Sequence, residues 1–289
     1  MTYVLHIAVL WTFAASLAVS LDLVVGRLGI LSLCHSAFYA TGAYTTALLL
    51  TRAGVPWAVA VGLSPVAAAL LSLPLASVSR RLRHDALVLA TLAVLLVLIE
   101  LARNLRGLTG GLDGISGIPP LSFGPLRVRH ELPWVGVGLL QLALALGVVS
   151  RIGASPLGRA LCAYRDDPTV AATLGVRPWY ATGHAFALSA GLAGLTGGLY
   201  ATYASYIGPA LFGFDASVLM LAMVVVGGAG TTWGPPLGAL ALVLVPEAAR
   251  AIGFSSAAVG AFQQILFALA LLTFVLWRPR GLLGGYRFR

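Results

Sequence analysis

Apolar residues run along this chain in long blocks, separated by short stretches where Arg, Gly and Pro collect. An apolar block of roughly twenty residues is the length needed to cross a bilayer as a helix. The blocks predict spans at Val4–Val25, Ile30–Leu50, Trp57–Val78, Ala86–Ala102, Trp134–Val149, Ala181–Tyr203, Ala216–Val226, Leu237–Ala249 and Gly260–Trp277. The implied fold class is an all-α, polytopic transmembrane bundle of about nine spans, with residues 1–289 forming a single domain. Ala216–Val226 and Leu237–Ala249 are short enough for broken or re-entrant helices, which need protein around their exposed backbone. The second run carries Gly42 and is also a candidate for interruption.

Two polar stretches break the pattern. In 151–180, Gly158 to Asp166 is helix-permissive, Asp167 is a good N-cap, Pro168 suits a first helical position and Gly175 suits the stop. This predicts two short helices outside the membrane, best used as a docking surface. In 103–133 the run Leu108-Thr-Gly-Gly-Leu-Asp-Gly-Ile-Ser-Gly-Ile-Pro-Pro120 reads as an ordinary loop, with a ligand-contacting loop as the alternative.

Charge then orients the bundle. The basic residues number eighteen, all of them Arg. With the N-terminus outside, twelve fall inside (Arg27, Arg80, Arg81, Arg83, Arg151, Arg159, Arg165, Arg177, Arg278, Arg280, Arg287 and Arg289). Six fall outside (Arg52, Arg103, Arg106, Arg127, Arg129 and Arg250). The positive-inside rule favours this arrangement, which puts 151–180 and the C-terminal tail in the cytoplasm and 103–133 outside. The net charge of +9 is accounted for by these loop arginines facing anionic lipid, and nucleic-acid binding is not expected. The first run lacks a basic n-region, so a retained helix is expected rather than a cleaved signal.

With 59% hydrophobic and 9% charged residues and a mean hydropathy of +0.95, there is no room for a separate soluble domain. The absence of Lys excludes a phosphate-binding loop, and Gly227-Gly-Ala-Gly-Thr-Thr-Trp-Gly234 lacks that motif's spacing, so this chain does not hydrolyse ATP by itself. Cys34 and Cys162 are expected to be unpaired, and no metal-ligand cluster is visible.

Polar residues inside spans carry the candidate chemistry. Asp22 and His35 lie on successive spans joined by a turn near Gly26–Gly29 and are placed to approach each other. A buried polar pair, or a snorkelling Asp, that fixes packing is the simpler reading; a proton relay or substrate contact is the alternative. Ser32 and Ser36 flank His35, and in-span serines commonly bond their own helix or a neighbour. Asp215 follows a re-entrant-looking stretch and is placed to line an outer vestibule, Glu247 is placed to pair with Arg250, and His184 is expected to pack near the inner end of its span. Small residues at Ala187, Gly191, Gly194 and Gly198 form a close-packing face, for this chain's own helices or a second subunit. Gly114-Ile-Ser-Gly117 matches a short serine-protease signature, but it sits in a Gly/Pro loop with no base geometry, and no enzymatic activity is expected.

Five segments together resemble the branched-chain amino acid ABC transporter permease family, in its M-type inner-membrane form. They are Gly29-Ile-Leu-Ser-Leu-Cys-His-Ser-Ala-Phe38 with Gly42-Ala-Tyr44, Thr109–Pro119, Gly158–Gly175, Gly227–Pro235 and Arg278–Gly284. The resemblance implies a partner H-type permease, two cytoplasmic ATPases that hold the ATP and Mg, and an external solute-binding protein, with no cofactor on this chain. It also implies that Gly158, Arg159, Leu161, Tyr164, Arg165, Asp166, Asp167, Ala171 and Gly175 belong to an ATPase-coupling segment. There Leu161, Tyr164, Val170 and Leu174 are expected as apolar anchors and the charged residues as a rim. Asp22, Ser32, His35, Ser36 and Asp215 are then the substrate-pathway candidates, and a leucine-like zwitterion suits a pathway with few fixed charges. A proton-coupled transporter using Asp22 and His35 is the competing expectation.

Overall fold

The computed structural model describes residues 2–79, 82, 84–123, 126–127, 130–251 and 269. The expected span Gly260–Trp277, apart from Leu269, lies outside them, as do the tail Arg278–Gly284 and Arg80, Arg81, Arg83, Arg129, Arg287 and Arg289.

Long helices α1 (Thr2–Asp22), α2 (His35–Thr51), α3 (Trp57–Ser79) and α4 (His84–Asn104) come first. A one-turn helix α5 (Arg106–Thr109) and strands β1 (Ile115–Ser116), β2 (Ser122–Phe123) and β3 (Leu126–Arg127) follow. Then come α6 (Glu131–Ala154), α7 (Pro156–Asp166), α8 (Pro168–Thr173), α9 (Pro178–Ala204), strand β4 (Tyr206–Ile207), α10 (Phe214–Gly227) and α11 (Gly234–Ala251).

Among the described residues six helices, not nine, are long and apolar enough to cross a membrane: Tyr3–Arg27, Trp57–Ser79, Ala86–Asn104, Glu131–Ala154, Pro178–Ala204 and Pro209–Gly227. The shortfall has local causes. The second expected span loses its first turn, because the chain is unwound from Leu28 to Cys34 and α2 starts only at His35. Its backbone is satisfied from elsewhere: Ile30 N donates to the Val24 carbonyl at 3.0 Å, and Leu33 N to Thr91 Oγ1 at 3.1 Å. The break falls there and not at Gly42, which sits inside a continuous helix. In α11 the apolar portion is only Gly234–Glu247.

The core is organised around α9, which packs between α2 and α3. Its small residues explain why. A Cβ at Gly194 would meet the Ala68 side chain of α3 at 2.5 Å, one at Gly42 would strike the Gly194 backbone, and one at Gly197 would meet the backbone of Ala43 at 2.9 Å. The glycine face therefore serves contacts within this chain, a choice that spacing alone left open. Several core hydroxyls bond back to their own helices, as Ser16 does to the Thr12 carbonyl at 2.8 Å and Thr196 to the Leu192 carbonyl at 2.9 Å, while Ser189 of α9 donates to the Ser20 carbonyl of α1 at 2.6 Å.

Helix directions sort the loops into two ends. One end holds the start of α1, the 105–121 segment, the C-terminus of α9 and Glu247, which accepts from the Tyr3 hydroxyl. There β1 pairs with β4, and Arg52 donates to the carbonyls of Gly107 and Leu108 at 2.6 and 2.8 Å. The other end holds Arg27, α7 and α8.

Candidate functional site

At that second end four segments meet in a polar knot. Helix α1 finishes in a π-type turn, Leu23–Arg27, closed by Leu28 N on the Leu23 carbonyl at 3.2 Å. Such wide turns displace backbone groups from the regular ladder and recur at functional positions. Here the displaced carbonyl of Gly26 accepts from Arg165 Nη1 of α7 at 2.9 Å. Asp22, buried, accepts from Gly230 N in the turn between α10 and α11 at 2.7 Å through Oδ1, while its Oδ2 has no partner among the described residues. The approach is tight: a Cβ at Gly26 would land on Asp22 Oδ1 and on the Gly230 backbone. Gly29, at φ +77°, leaves room for the stem of Arg165, whose Cβ and Cδ would lie 3.2 and 3.3 Å from an added methyl. Arg27 is buried as well, its guanidinium against Gly153 near the end of α6.

The two short helices of 151–180 form. Asp167 caps α8, with Oδ1 accepting from Thr169 N at 2.7 Å and Val170 N at 3.0 Å, and Gly175 takes φ +86° at the stop. Helix α7 begins two residues before Gly158, at Pro156, because Ser155 caps it through Gly158 N at 3.3 Å.

Burial divides the coupling candidates into two groups. Gly158, Leu161 and Ala171 are buried against the rest of the chain. Leu161 is therefore part of this chain's core and not an anchor presented outward. Tyr164 is half-buried, and desolvation holds its phenol above the usual pKa. Arg165 turns inward to Gly26, and also reaches exposed Asp166 through Nε at 3.2 Å. Arg159, Asp166 and Asp167 are exposed, as are Val170 (53%) and Leu174 (75%).

Asp22 and His35 engage different partners. His35, first residue of α2, is hydrogen-bonded through Nε2 to Ser20 Oγ at 2.8 Å, with its ring edge-on to Phe38. Ser32 Oγ lies 3.2 Å from Cys34 Sγ, and both cysteines are free. Ser36 Oγ meets Ser217 Oγ at 2.6 Å, joining the starts of α2 and α10. Asp215 lies in the first turn of α10 and is exposed. His184 lies near the start of α9, exposed, with its ring centroid 4.5 Å from that of Tyr180 and its Nδ1 bonded to the Tyr180 carbonyl at 2.7 Å. Glu247 contacts Tyr3, while the Arg250 side chain lies outside the described residues. No cluster able to hold a metal occurs among the described residues.

Ser20 and Ser217 carried no recognisable signal as site residues, whereas Gly26 and Gly230 lay in turns that the sequence did mark without pointing to their role. The only hint was the glycine content of both turns.

Residues 3–276 match the family described as branched-chain amino acid transport system, permease component. The chain belongs to this family. It is a multi-pass inner-membrane permease subunit of an ATP-binding-cassette importer. This permease is 32% identical to the high-affinity branched-chain amino acid transport system permease protein LivM of Escherichia coli (strain K12), over 96% of its own length and 69% of that protein's. It is equally 32% identical to the protein of the same name from Salmonella typhimurium (strain LT2), over 96% of the permease and 73% of the relative. No solved structure matches it.

Proposed function

We propose that residues 1–289 act as one transmembrane domain that passes a branched-chain or similar small apolar amino acid inward. It would work beside an H-type permease, two ATPase subunits holding ATP and Mg, and an external solute-binding protein. The carrying observation is the Arg165–Gly26 bond, which fastens α7 to the end of a membrane span. Force on α7 then reaches α1 directly, and through Asp22 the α10–α11 turn. Exposed Val170 and Leu174, rimmed by Arg159, Asp166 and Asp167, form the ATPase-facing surface; Gly158, Leu161 and Ala171 seat the segment on the bundle. Gly175 ends α8 and fixes the segment's exit. Ser32, His35 and Ser36, at the unwound entry to α2, belong to the pathway with Asp22 and with Asp215, exposed in the first turn of α10. ATPase closure moves the α7–α8 segment as a lever.

Leu174→Asp and Val170→Asp should each lower ATPase co-purification at least about tenfold while leaving membrane insertion intact, since a buried charge is strongly unfavourable at a protein interface. Wild-type co-purification in both variants would reject this surface. Loss of uptake on removing ATP at a constant proton gradient tests the energy source.

A further inference from the structure

At the end of the bundle opposite α7 and α8, a cavity of about 800 Å³ opens between α1, α6 and the end of α9. Its wall includes His6, Glu131, Trp134, Tyr200 and Tyr203. These come from three helices and are fixed by direct contacts. His6 Nδ1 and the Tyr203 hydroxyl are hydrogen-bonded at 2.6 Å, and the rings of Trp134 and Tyr203 meet edge-on with centroids 5.2 Å apart.

Glu131 is the only carboxylate among the cavity-lining residues. Its Oε1 lies 3.9 Å from His6 Nδ1, and its Oε2 is enclosed with no hydrogen-bond partner among the described residues. A place in the first turn of α6 suits a carboxylate. That does not account for the orientation, because no hydrogen bond from a backbone N–H of α6 to Glu131 occurs among the described residues. An enclosed acceptor with capacity to spare calls for a donor. Aromatic faces beside a carboxylate select a cation whose charge is spread over N–H and adjacent C–H groups, which is an alkylammonium. An anion would be repelled by Glu131.

We propose that this cavity is a binding site for the ammonium group of a free amino acid, with Glu131 as its counter-ion and Tyr200, Tyr203 and Trp134 as its aromatic wall. That the amine is a branched-chain amino acid rests on the function proposed above, as does the placement: in an importer the substrate enters at the end opposite the ATPases. The volume falls in the usual range for small-molecule sites.

The test is calorimetric titration of the full-length permease in lipid nanodiscs with 3-methylbutylamine, L-leucine and 4-methylpentanoate. The amine and leucine should bind, and the carboxylate-only compound should not. Glu131→Gln should weaken amine binding at least about tenfold, and Tyr203→Leu at least about fivefold. Thermal melting monitors folding; if Glu131→Gln fails to fold, Glu131→Asp takes its place with an intermediate affinity expected. No binding of the amine to the wild type, amine affinity within twofold of wild type in the Glu131 variant, or equal competition by 4-methylpentanoate would each overturn the proposal. Leucine uptake by the assembled transporter separates the two readings. Glu131-dependent amine binding without leucine uptake rejects the substrate and keeps the site, whereas normal uptake by a Glu131→Gln transporter that binds amine as wild type does rejects the site alone.

Discussion

Replacing Arg165 by Met separates the hydrogen bond to Gly26 from the packing around it. The Met stem can still fill the space over Gly29, but the Gly26 carbonyl loses its donor at 2.9 Å. The Arg165 side chain is 16% exposed, so this charge-assisted bond is largely shielded and contributes about 2 kcal/mol. The contact with Asp166 adds little, because that carboxylate is 65% exposed and solvated. A loss of about 2 kcal/mol is about a 30-fold change in the equilibrium holding α7 to α1. Expression and ATPase binding should survive, since Val170 and Leu174 are untouched. The consequence is slippage: in the assembled transporter reconstituted in liposomes, ATP hydrolysed per leucine imported should rise several-fold. Arg165→Lys should fall between the two, because Lys retains a charge but not the planar fork. An unchanged ratio in a fully assembled Arg165→Met transporter would refute the argument that force passes through this bond.

Three further outcomes follow from the same structure. Gly194→Val must push α9 from α3, because even a Cβ would sit 2.5 Å from the Ala68 side chain and 2.8 Å from the Ser64 carbonyl; a loss of at least about 1–3 kcal/mol should appear as a lower Tm in detergent. Asp22→Asn keeps an acceptor for Gly230 N and should retain uptake within about threefold, whereas Asp22→Leu leaves that donor unpaired at a cost of about 1–3 kcal/mol and should lower both Tm and uptake; equal loss in both variants would refute the reading that Asp22 acts at this turn as an acceptor and not through its charge. Asp167→Ala removes the bonds to Thr169 N and Val170 N and should cost about 1 kcal/mol, read as roughly fivefold faster amide exchange in the first turn of α8.

Much of this was legible along the chain because it depends on neighbours in sequence. Asp167, Pro168 and Gly175 place a short helix through backbone chemistry that operates over three or four residues, and α8 follows them. Apolar runs locate α3, α6 and α9 to within a few residues, since a helix that satisfies its own backbone bonds needs only length and apolarity to enter lipid. The start of α2 was misplaced for the converse reason. Whether Leu28–Cys34 stays helical depends on distant partners such as Thr91, which no local pattern reveals.

Long apolar runs, a chain without Lys and hence without a Lys-containing phosphate-binding loop, and a polar segment at 151–180 are legible along the chain, and the order of its motifs pointed to the family. Packing in three dimensions sets which residues of that segment face outward, that Leu161 and Arg165 turn in, and that Asp22 answers to Gly230 and not to His35. It alone brought His6, Glu131 and Tyr203 to one cavity. The difference is one of range: helix propensity and lipid solubility are settled within a turn or a span, whereas an enclosed polar atom is satisfied by whichever donor the packing of other helices delivers.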